Sequence, residues 1–67
     1  MATYSDVIAG LQLFASKQEP GAHIGGAAHD VIWGAPSDIE LTDAEKAQLH
    51  AWGWRVDNSA DSWFCFV

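Results

Sequence analysis

Basic residues are scarce in this chain: Lys17, Lys46 and Arg55 stand against nine carboxylates, for a formal net charge of −6. A field of that sign repels phosphate backbones, so direct nucleic-acid binding is not expected, while encounter with basic protein surfaces is favoured. Cysteine is nearly absent. A lone Cys65 excludes an internal disulfide, so stability has to come from packing, association or a bound partner. No apolar run approaches the ~20 residues of a membrane span. The opening Met1-Ala2-Thr3-Tyr4-Ser5-Asp6 has neither the basic nor the apolar segment of a signal peptide. The expectation is a soluble cytoplasmic protein with no membrane partner.

Large aromatics are plentiful. Four tryptophans stand among 67 residues, and each can bury on the order of 150–250 Å². Residues 1–67 are expected to form one small domain, close to the size at which a single core suffices without staples. Three of the tryptophans and two of the three phenylalanines lie between Trp52 and Val67, so much of the core comes from the C-terminal stretch.

Apolar periodicity outlines the elements. Val7, Ile8, Leu11 and Phe14 make one stripe of a helix over 5–17, with Thr3 or Ser5 as N-cap, Asp6 in the first turn and Lys17 in the last. Pro20-Gly21 ends it. His29-Asp30-Val31-Ile32-Trp33 has strand composition, bounded by Gly34 and Pro36, with His29, Val31 and Trp33 expected to point inward. Thr42-Asp43-Ala44-Glu45 matches the capping box of a helix over about 43–52. Gly53 suits a left-handed C′ position after Trp52, which would bring Trp54 against Leu49.

Past Gly53 the period changes to two. With Ser59-Ala60 at the centre of a four-residue turn, Val56 pairs with Trp63 and Trp54 with Cys65. These four share a face with Val67, while Arg55, Asp57, Ser62, Phe64 and Phe66 share the other. The last strand is apolar on both faces, which suits a central position. The expected fold is therefore α+β, an α-β-α-β-β two-layer domain. Its three-stranded antiparallel or mixed sheet has the third strand between the first and the second, reached by a right-handed crossover.

Residues able to carry chemistry are few and scattered. His23-x5-His29-Asp30 matches no closed zinc pattern, and His50 and Cys65 sit on separate elements. Cys65 between Phe64 and Phe66 lacks the cationic setting of a reactive thiol. Asp38, Glu40, Asp43 and Glu45 lack the spacing of a calcium loop, and Gly25-Gly26 has no lysine after it to make a phosphate loop. No catalytic residue, metal or cofactor is expected, and the protein is not expected to be an enzyme.

His29-Asp30-Val31-Ile32-Trp33, Leu41-Thr42, Leu49, Trp52-Gly53-Trp54, Asp57, Asp61-Ser62-Trp63 and Phe66-Val67 together resemble small uncharacterised proteins encoded by bacteriophages and prophages. The likeness covers about residues 29–67 and rests on structural anchors. It implies an accessory protein of a mobile element in the cytoplasm of a bacterial host, with no activity or site residues to carry over.

Two functional classes follow. The first is a protein-interaction module that inhibits or redirects a host protein such as a defence factor. Its surface would be Phe64 and Phe66, rimmed by Arg55 and Asp57, and self-association of that face as a homodimer is the simplest use of it. The second is a small-ligand binder with Trp33, Trp52, Trp54 or His29 lining a pocket between helix and sheet.

Overall fold

The computed structural model describes residues 2–67. Helix α1 (Tyr4–Ser16) is followed by strands β1 (Gly26–Ala27) and β2 (Val31–Pro36), helix α2 (Asp43–Ala51), and strands β3 (Arg55–Asp57) and β4 (Ser62–Phe66). The sheet has four strands in the order β1-β2-β4-β3, every pair antiparallel. The three strands expected from the sequence are thus four. The addition is a two-residue strand at the glycine-rich segment, where Gly26 pairs with Trp33 and Ala27 with Ile32. A strand with so few side chains to pack has little period to read.

Each helix begins and ends where local chemistry dictates. Thr3 caps α1, its hydroxyl accepting from the Asp6 amide at 3.2 Å. Thr42 and Glu45 form the full capping box of α2: the Glu45 amide donates to Thr42 Oγ1 at 3.1 Å and the Thr42 amide to Glu45 Oε1 at 2.9 Å. At the other end Gly53 has φ of 90°. The Gly53 amide donates to the His50 carbonyl at 3.0 Å and the Trp54 amide to that of Leu49 at 2.9 Å. These are the two bonds of a Schellman ending, which stacks Trp54 on Leu49. Gly53→Val is expected to cost more than about 1 kcal/mol in urea denaturation, because a β-branched residue is strained at that φ. A neutral result would contradict the turn.

The register of the β3–β4 hairpin is as the alternation predicts, with Val56 opposite Trp63, Arg55 opposite Phe64 and Asp57 opposite Ser62. Trp63 and Cys65 face the helices with Trp54, Phe14, Leu49 and Ala35, and these six form the core. Phe14 of α1 and His50 of α2 both lie against Trp63, with ring centroids 6.2 and 5.7 Å away. Both helices therefore cover the same face of the sheet.

Four finer expectations are corrected. Ile8 is half exposed, and the buried line of α1 runs instead through Gly10 and Phe14, with Val7, Leu11 and Leu13 beside it. Gly10 is where the Trp54 indole approaches the helix backbone, its Nε1 donating to the Asp6 carbonyl at 3.3 Å. Strand β2 starts at Val31, so His29 and Asp30 sit in the exposed β1–β2 turn. Its inward residue is Ile32, opposite Cys65, and not Val31 or Trp33, which lie opposite Phe66 and Phe64 on the far face. Val56 and Val67 are each 37 % exposed: one lies on the edge strand β3 and the other just past the end of β4.

Candidate functional site

With both helices on one side, no helix covers the far face of the sheet. Alternation along β4 puts Phe64 and Phe66 there, and pairing across β2 adds Trp33 and Val31. Phe66 is 57 % exposed, Phe64 and Trp33 are half-buried, and Val31 is buried beneath them. The two phenylalanine rings meet edge to face, 5.2 Å between centroids and 85° between planes, a favoured aromatic geometry. They wall a depression of about 560 Å³ whose other lining includes Val31, Trp33, Asp57 and Ser59. On the other side of the same tryptophan lies a second depression, of about 310 Å³, lined by Gly25, Trp33, Pro36, Ala60, Asp61 and Ser62.

The four surface residues expected from the sequence divide. Phe64, Phe66 and Asp57 come together on this face. Arg55 starts from the same face, opposite Phe64, but its Nη1 donates to the carbonyls of Trp54 at 2.9 Å and His50 at 3.1 Å. It thereby serves the C-terminal end of α2, where a cation is favoured by the helix dipole. Asp57 is anchored differently: its Oδ1 accepts from the Ser59 amide at 2.9 Å and the Ala60 amide at 3.3 Å, an Asx turn that shapes the hairpin loop. Asp61 closes that loop with a left-handed φ of 51°, which aspartate tolerates better than most residues.

Trp33 was not among the expected surface residues. Strict alternation fails along β2 because the register shifts between Trp33 and Ala35, so that Gly34 and Ala35 both turn toward the core. The available signal was Gly34 inside an otherwise apolar strand, a common mark of a bulge. The Trp33 indole N–H is shut off from solvent without an acceptor among the described residues, as is that of Trp63.

Of the four residues expected to line a pocket between helix and sheet, Trp52 does line a depression, of about 410 Å³, with Asp6 of α1, Arg55 of β3 and Phe66 of β4, while the other three do not. Trp54 is fully buried in the core, Trp33 lies on the opposite side of the sheet, and His29 is in an exposed turn. An apolar crevice of about 520 Å³ exists elsewhere, at the start of α1, lined by Ala2, Thr3, Tyr4, Val7, Ile32 and Val67. Among the described residues no three of His, Cys, Asp and Glu gather as metal ligands, and no helix is long and apolar enough to cross a membrane.

Two ionisable groups are shifted. Burial raises the Cys65 thiol, with Asp6 adding to the effect, so the sulfur is held neutral. The Glu45 carboxyl is lowered by its bond to the Thr42 backbone and then by Lys17, whose Nζ lies 2.9 Å from Oε2. A depressed folded-state value means that this contribution to stability is present above the ordinary carboxylate range and is lost as pH falls through the folded value. Glu45→Gln is expected to flatten the acid limb of the stability–pH curve, as measured by thermal melts across the carboxylate range. An unchanged limb would contradict this role.

The chain matches no protein-family model, no curated protein and no solved structure. What class of protein this is rests on the geometry: a small α+β domain with one covered sheet face and one aromatic face left open.

Proposed function

We propose that this protein is a non-enzymatic protein-interaction module, an accessory protein of the phage type, whose docking surface is the open sheet face. The observation that carries the reading is the exposed Phe66 beside Phe64 and Trp33, on a sheet whose opposite face already holds a complete core. Contiguous apolar surface on a small soluble domain marks a place of association. The scaffold suits recognition by shape: rings fixed on a central strand lose little entropy on binding.

Two occupants fit such a face, a host protein and a second copy of the chain. The direct test is capture from a bacterial lysate with wild-type protein beside Phe64→Ser/Phe66→Ser, and sedimentation of both at high micromolar concentration. The double variant is expected to remain folded by circular dichroism while losing a partner, or a dimer, that the wild type holds. Identical captures and monomeric sedimentation for both would overturn the reading.

A second reading, small-ligand binding, is favoured by the apolar crevice at the start of α1. Native mass spectrometry of the purified protein decides it: an added mass supports an apolar ligand, and a bare chain removes it.

A further inference from the structure

The open face carries a charge pattern as well as rings. Trp33 is the wall shared by two depressions, and each contains one carboxylate, Asp57 in the larger and Asp61 in the smaller. No lysine or arginine lines either one. The chain's own lysines and arginine lie away from both depressions: Lys17 is paired with Glu45, Arg55 is bonded to the two carbonyls at the end of α2, and Lys46 lines a separate groove beside Lys17. Asp57 spends one oxygen on the loop and keeps the other, and the Asp61 carboxylate makes no hydrogen bond among the described residues. A tryptophan walling two depressions, each with a carboxylate that no cation among the described residues pairs, with an apolar ledge alongside, is an arrangement that a delocalised cation on a long stem satisfies.

Resting on the docking-face reading above, we propose that the partner presents an arginine from a basic, otherwise apolar segment. Its guanidinium stacks on Trp33 between Asp57 and Asp61, and the neighbouring aliphatic side chains lie on Phe64 and Phe66. Arginine suits the site because its planar group stacks on an indole face while its edge donates to carboxylates. The net charge of −6 steers such a segment toward the protein. A second copy fits less well, since it brings its own Asp57 and Asp61 to the same surface.

The probe is a short peptide of alternating arginine and leucine, titrated into the full-length isotope-labelled protein and followed by NMR. Expected are shifts centred on the Trp33 indole N–H, Asp57, Asp61, Phe64 and Phe66, and no such shifts with the peptide carrying glutamate for each arginine. Asp57→Asn/Asp61→Asn is the matched variant. Asparagine keeps the side-chain oxygen of the Asx turn and tolerates the left-handed φ at position 61, so the fold stands while both charges go. It is expected to weaken binding at least about tenfold, the scale of two ion pairs partly screened by solvent.

Equal binding by the variant, or shifts spread over the acidic residues of α2 and the loop before it, would overturn the proposal. Shifts at Phe64 and Phe66 on raising protein concentration alone, with no response to peptide, would assign the face to a second copy; the arginine site would then fail while the docking face stood. No change at this face in either titration, together with identical lysate captures, would sink both.

Discussion

Trp63→Ala is expected to abolish the cooperative unfolding transition at room temperature. Trp63 is 3 % exposed at the centre of β4, flanked by β2 and β3 and covered by Phe14 and His50 from the two helices. Removing a buried aromatic of this size costs roughly 3–5 kcal/mol. A domain this small has about 5 kcal/mol in total, so the loss consumes the margin. Urea denaturation followed by circular dichroism measures it. The ring carries one internal cost, its unbonded indole N–H, which is worth about 1–3 kcal/mol. Trp63→Phe removes that donor along with some volume and is therefore expected to remain folded. A near-wild-type melt for Trp63→Ala would mean that β4 faces the other way.

Gly10→Ala is expected to destabilise strongly, against the sign that helix propensity dictates. In an exposed helix interior the change gains up to about 1 kcal/mol. Here a Cβ at position 10 would overlap the indole of Trp54, which is fully buried and hydrogen-bonded to the Asp6 carbonyl one turn earlier. The indole cannot retreat, because its other side is closed. The Phe14 ring stands edge to face with it at 5.0 Å, and a Cβ on Gly34 would come within 2.6 Å of Phe14 and 2.9 Å of Trp54. Two glycines thus hold the two rings between helix and sheet. Forcing an atom into such packing costs typically 1–3 kcal/mol, occasionally more. Thermal melting of Gly10→Ala beside Gly10→Ala/Trp54→Phe separates the causes: the smaller ring is expected to recover part of the loss. A stabilised Gly10→Ala would contradict the interlock.

How much of this was legible in the residues differs by element. The second helix was legible to within a residue because its ends are chemical signals, Thr42 with Glu45 at one end and Gly53 at the other, which act locally. The hairpin register was legible because Asp57 to Asp61 can turn in few ways and because Trp63 and Cys65 alternate with Phe64 and Phe66. The same alternation led to the aromatic face, although Arg55 turned out to bind the α2 end and so adds no charge to it. What was hidden depends on contacts made across the fold. Gly10 and Gly34 look like weak points until a ring is laid on each. Val31 and Trp33 make the more apolar side of β2 and so read as core although they lie on the far face, and the bulge at Gly34 turns Ala35 the other way. A two-residue strand such as β1 exists only because the edge of β2 is there to accept it.

Whether Phe64 and Phe66 are surface or core is decided by the urea melt of Phe64→Ser/Phe66→Ser. The open-face geometry predicts a cooperative transition with a slope near that of the wild type and a loss of no more than about 2 kcal/mol, since the rings give up only partial burial. A double variant without a folded baseline, from a wild type that sediments as a monomer, would show that the two rings are core and that the sheet has no open face.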